Sequence, residues 1–156
     1  MLSMFGLNHA QENDILDTSN NNLTTSLLDI KKNCVIAELE LLTIYANYER
    51  IIPINEKFGF TTRIGIGRDG GNKETVVGLE AKALYGGPKR FVEAGLSYPL
   101  YLWWDTDPSY IIKAGYRYQN ANGFIYKITP LVIFFKQESG EESWLPMVGF
   151  SIGYAF

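Results

Sequence analysis

The sequence carries one cysteine, Cys34, and one histidine, His9. A single cysteine excludes an intrachain disulfide and a thiolate metal cluster, and Cys34 reads as a small apolar residue near the first strand. A serine nucleophile needs a base to activate it. With His9 assigned to an N-terminal leader, Ser–His catalysis of the kind used by lipid-modifying barrels is excluded. There is no uninterrupted apolar run of about 18 residues, which rules out a transmembrane helix but not a membrane barrel, whose strands need only about 10 alternating residues. Basic residues are not in excess either: 14 Lys and Arg against 17 Asp and Glu give a net charge of −3. Without a basic stripe, no nucleic-acid partner is expected.

What is present is period-2 alternation. At 156 residues the chain has the length of one domain, and its 14% aromatic content with 15 glycines favours β structure. From Cys34 onward, segments of roughly 10 to 17 residues alternate large apolar with small or charged residues. Gly, Asn, Asp and Pro clusters separate them. At the C-terminus Val148, Phe150, Ile152, Tyr154 and Phe156 alternate with Met147, Gly149, Ser151, Gly153 and Ala155. Residues 110–119 set Tyr110, Ile112, Ala114, Tyr116 and Tyr118 against Lys113, Gly115, Arg117 and Gln119. Comparable patterns occupy 58–68, 75–85, 91–104 and 124–136, and Pro130 predicts a bulge in the last of these. Segment 35–51 begins with Glu38 and Glu40 on the polar face and ends with Asn47 and Glu49 there, so its phase slips near Leu42.

The polar face is assigned to the interior. It also carries Gly59, Gly65, Gly67, Gly78, Gly95, Gly115, Gly149 and Gly153. A solvent face gains nothing from so many glycines, whereas the interior of a barrel of about eight strands is only just wide enough for side chains. The predicted interior collects Glu38, Glu40, Glu49, Glu80 and Glu93 with Arg63, Lys82, Lys113, Arg117 and Lys127, in balanced charge. Buried charges of this kind are expected to pair or to keep water. The outward face supplies Tyr48, Tyr98, Trp104, Tyr116, Tyr118, Phe124, Tyr126, Phe134, Tyr154 and Phe156, many near segment ends where aromatic girdles meet the membrane interfaces. The alternatives are a β-sandwich core, or a soluble lipocalin-like carrier with the faces reversed.

The expectation is therefore an all-β, closed, antiparallel, up-and-down transmembrane barrel of about eight strands over residues 34–156. Seven strands can be counted, and barrels of this kind normally have an even number. The eighth comes either from residues 23–32 or from division of segment 35–51 at its phase slip. Residues 1–11 read as the tail of a signal peptide cleaved near Ala10 or Gln11, or as a disordered start. Residues 12–33 form a lead-in, its Asn-rich part 12–22 flexible. A periplasmic C-terminus would put the turns near Asn55, Gly87 and Asn120 on that side, and residues 69–72, 105–108 and 137–143 outside.

Phe156 with Tyr154, Ile152 and Phe150 at alternate positions resembles the signal by which the barrel-assembly machinery recognises its clients. The segments AELELLTIYANYER, AGYRYQNANGFIYKITPLV and VGFSIGYAF resemble a group of small outer-membrane β-barrel proteins of unassigned function in Gram-negative bacteria. The resemblance spans most of the chain after Cys34. It implies an outer-membrane barrel in contact with lipid, and it transfers no catalytic residue; a metal site has no His or Cys cluster to support it.

Glu80 and Glu93, if facing across neighbouring strands, would suggest a carboxylate pair, against which stands a lumenal salt-bridge network. Gly65, Gly67, Gly70 and Gly71 lack the following helix of a phosphate loop. Asp105, Asp107, Glu138, Glu141 and Glu142 fall in expected surface loops, where solvation or divalent cations would satisfy them. A monomer without cofactor is expected, with a structural or binding role, or else a narrow channel or solute binder using the polar lumen.

Overall fold

The computed structural model describes residues 26–40, 43–70, 75–87, 89–101, 110–136 and 140–156. Eight strands follow one another in chain order: β1 Asn33–Glu40, β2 Thr43–Pro53, β3 Phe58–Asp69, β4 Thr75–Gly86, β5 Arg90–Tyr101, β6 Tyr110–Gln119, β7 Phe124–Lys136 and β8 Glu142–Ala155. Each pairs antiparallel with the next, and β1 pairs with β8, so the sheet closes and leaves no edge.

The eighth strand comes from the phase slip. Glu40 pairs with Thr43, and the inward set changes from even numbers on β1 to odd numbers on β2. Residues 26–32 are not a strand. They form a turn that packs Leu27, fully buried, into one end of the barrel, with its N–H donating to the Glu56 carbonyl at 2.8 Å. The expected bulge at Pro130 is absent. The β7–β8 register runs unbroken through Thr129↔Gly149, Pro130↔Val148 and Leu131↔Met147. Against β6, pairing runs to Lys113↔Leu131 and resumes in the same phase at Tyr116↔Ile128. Proline thus interrupts a ladder that its missing N–H cannot complete, without adding a residue.

The short connections 54–57, 87–89 and 120–123 lie at one end, called here the turn end, together with Asn33 and Phe156. Asparagine side chains build two of these turns. Asn55 Oδ1 accepts from the N–H groups of Lys57 and Phe58 at 3.0 and 2.9 Å, and Asn120 Oδ1 accepts from the Phe124 N–H at 2.9 Å. The signal-like segment 1–11, the lead-in 12–22, Trp104, Asp105, Asp107 and Glu138 lie outside the described residues.

The faces are those of a membrane barrel. Among the described residues thirty large apolar side chains are exposed and eleven hydrophobic residues are buried. In a soluble protein exposed apolar patches beyond a few hundred Å² are uncommon. Ile64, Leu79, Leu96, Ile112, Ile128 and Phe150 are all exposed on mid-strand positions, while the charged face points in. This removes both the sandwich and the reversed, lipocalin-like arrangement.

Candidate functional site: the charged barrel interior

Every strand except β8 contributes a charge to the interior. Glu38 and Glu40 come from β1, Glu49 from β2, Arg63 from β3, Glu80 and Lys82 from β4, Glu93 from β5, Lys113 and Arg117 from β6, and Lys127 from β7; all ten are buried. They form one connected network. Arg63 bridges Glu38 and Glu80, and Lys113 contacts Glu40 and lies 3.0 Å from Glu80. Lys82 stands 2.7 Å from both Glu80 and Glu93 and so joins two halves. In the second half Arg117 contacts Glu49 and lies 3.3 Å from Glu93, while Lys127 lies 2.6 Å from Glu49 and 3.1 Å from Glu93.

The ion pairs reach across the barrel. Lys113 to Glu40, Arg117 to Glu49 and Lys127 to Glu49 join strands that are not neighbours in the sheet, so these side chains cross the lumen. Inward glycines make room for neighbouring side chains, and a Cβ on Gly149 would stand 3.1 Å from Glu40 Cγ. A Cβ on Gly65 would meet the Asn47 side chain, and one on Gly67 the Tyr45 ring. Asn47 in turn donates to Glu38 Oε2 at 3.2 Å. A residual cavity of about 10 Å³ remains beside Glu40, Asn47, Arg63, Ser97 and Lys113. That is about the least that admits a single water.

Glu80 and Glu93 do not face each other. Glu80 is opposite Ser97 and Glu93 opposite Leu84, with the Lys82 ammonium between the two carboxylates. This is a salt-bridge arrangement, not an open carboxylate pair for glycoside chemistry. Among the described residues no three His, Cys, Asp or Glu side chains gather as metal ligands.

The interior also holds an apolar layer that the sequence reading did not assign. Leu27, Cys34, Ile36, Ile51, Leu84, Phe91, Ile125 and Ala155 pack together at the turn end. Parity alone would have revealed most of them. Ile36 shares a face with Glu38, Ile51 with Glu49, Leu84 with Lys82, Phe91 with Glu93 and Ile125 with Lys127. Cys34 touches both worlds, since the Arg117 guanidinium donates to its Sγ at 3.3 Å and to Gln119 Oε1 at 2.6 Å. Beyond the charges, Val76, Ile111 and Leu131 are buried near the opposite end.

On the outside, Phe150, Ile152, Tyr154 and Phe156 are all exposed along one face of the C-terminal segment. Aromatic residues gather towards the turn end, where Phe124 and Tyr154 meet edge to face at 5.6 Å and Tyr118 lies 6.5 Å from Tyr126. At the other end Tyr110 stacks on Phe134 at 4.8 Å.

No protein-family model matches the chain, and no curated protein matches it. Among solved structures it is similar to the N-terminal β-barrel domain of Pseudomonas aeruginosa OprF, with a TM-score of 0.51 and 18% identity over 80% of this chain and 96% of that domain. Two further likenesses have a TM-score of 0.48. One is a de novo designed transmembrane β-barrel, 14% identical over 80% of this chain and 92% of the design. The other is the Yersinia pestis outer membrane protein Ail, 10% identical over 81% of this chain and all of that one (100%). At such identities the likeness is one of fold, and the fold is that of the small eight-stranded outer-membrane β-barrels.

Proposed function

We propose that the chain is an integral outer-membrane barrel with a plugged interior, acting through its surface in a structural or binding role and performing no catalysis. The observation that carries this reading is the neutral network of five carboxylates and five cations crossing the lumen, with a residual cavity of about 10 Å³. An apolar layer at the turn end adds a second barrier to ions. A buried ion network is weak evidence for stability, because apolar residues of equal volume often do as well or better. It specifies register instead. Moving one strand by two residues would place its charge against the wrong partners across the lumen.

The same reading makes the barrel monomeric. It also makes Phe150, Ile152, Tyr154 and Phe156 the strand face that the barrel-assembly machinery recognises during insertion. The test is to refold the chain from Gln11 onward into phospholipid vesicles loaded with a small fluorescent solute. A lipid-dependent gel shift abolished by boiling, without solute release, is the expected result. Discrete conductance steps or release of solute by the folded form would overturn the plug and favour a narrow channel.

A further inference from the structure

The exterior is not uniformly covered. Across the closing seam, over β2, β1, β8 and β7, lies a shallow, open groove of about 680 Å³. Its floor is low because Ala37 and Ala46 stand directly opposite each other on β1 and β2, both facing outward. Tyr48 on one side and Phe124, Tyr126 and Tyr154 on the other form its walls. The groove is apolar along its length and becomes charged at the turn end.

Two cations stand there. The Lys31 ammonium lies 5.1 Å from the centre of the Tyr154 ring and donates to the Asn122 carbonyl at 3.2 Å and the Tyr154 hydroxyl at 3.5 Å. These contacts use two of its three N–H donors. Arg50 follows Tyr48 on the outward face of β2 and is exposed. More widely, the described residues of the turn end present Lys31, Lys32, Arg50, Lys57, Lys89 and Arg90 against Asp29 and Glu56. An apolar slot ending in fixed cations at a membrane interface is complementary to an amphiphile with an acyl chain and a negative headgroup.

We infer that this seam groove binds an anionic phospholipid, an acyl chain over Ala37 and Ala46 and the phosphate between Lys31 and Arg50. The inference rests on the membrane-barrel reading above. The test refolds the full chain in mixed phosphatidylglycerol and phosphatidylcholine vesicles, transfers it to mild detergent and follows retained lipid by native mass spectrometry. Phosphatidylglycerol should be retained in preference to phosphatidylcholine by about tenfold or more, the scale of two surface cations acting on one headgroup. The exposed-residue variant Lys31→Gln with Arg50→Gln should lose the preference, and Ala37→Phe should lose retained lipid while keeping the heat-dependent gel shift. Equal retention of both lipids by the parent chain, or parent-like retention by the double glutamine variant, would overturn the site. Absence of any heat-dependent shift in the parent chain would instead overturn the membrane reading, and the site with it.

Discussion

Arg117→Met is the most informative substitution in the interior. Arg117 is fully buried and its guanidinium serves Glu49, Glu93, Cys34 and Gln119. Removing it leaves five acids with four bases in the network, and Lys127 alone remains on Glu49. Glu93 keeps both Lys82 and Lys127, so the loss falls mainly on Glu49. Breaking a buried pair in this way costs about 3–5 kcal/mol. Adding Glu49→Gln restores neutrality with four of each sign, and the double variant should recover about 2 kcal/mol relative to additivity. The assay is a urea titration of the barrel in vesicles, followed by tryptophan fluorescence and the gel shift, with exposed Lys57→Met as a control expected within about 0.5 kcal/mol of the parent. A cost for Arg117→Met below about 1 kcal/mol, with no recovery in the double variant, would mean that lumenal water solvates these charges and that the plug is an error.

Leu96 is exposed near the middle of β5, so Leu96→Arg should cost about 2–4 kcal/mol in vesicles, and an effect near zero would place that position outside the hydrocarbon. Two inward glycines should behave oppositely. A methyl on Gly95 would come within 2.1 Å of the Ala81 carbonyl and 2.6 Å of the Lys82 Cα, so Gly95→Ala should lose about 1–3 kcal/mol, whereas Gly78→Ala meets only the Tyr45 ring at 3.8 Å and should fold as the parent does. Equal stabilities from urea titration would refute that packing. Leu27→Ala should cost about 2–5 kcal/mol and speed maleimide labelling of Cys34 in the folded barrel; an unchanged labelling rate would show that Leu27 does not cover that end.

The fold was legible because both chemistry and period point one way. Charges and glycines recur on one parity and large apolar residues on the other, which is what distinguishes a membrane barrel from a soluble one. The first hairpin was hidden because Leu41 and Leu42 carry no turn-forming residue. Its trace was the change of phase itself, which a two-residue connection imposes when Glu40 pairs with Thr43. The apolar layer was missed for a different reason. Charges and glycines alone marked the interior and left its apolar residues unassigned, but the interior turns apolar where Leu84, Phe91 and Ile125 succeed Lys82, Glu93 and Lys127 on the same face. No pattern in the sequence announces Leu27, since its burial depends on the chain folding back against the 54–57 turn. Likewise Pro130 pointed to a bulge because proline spoils a ladder, yet here the ladder yields and the register stays.

The seam between β1 and β8 also orders events in time. Seven of the eight ladders join strands adjacent in the chain and can form as hairpins within microseconds. The eighth pairs Cys34 with Ala155 and Glu40 with Gly149, and among the described strands it is the only ladder between partners more than one strand apart in the chain. Until it forms, both outer strands keep bare N–H and C=O groups, which hydrocarbon cannot satisfy. The closed, membrane-stable barrel therefore exists only once β8 has paired with β1, however early the other ladders form.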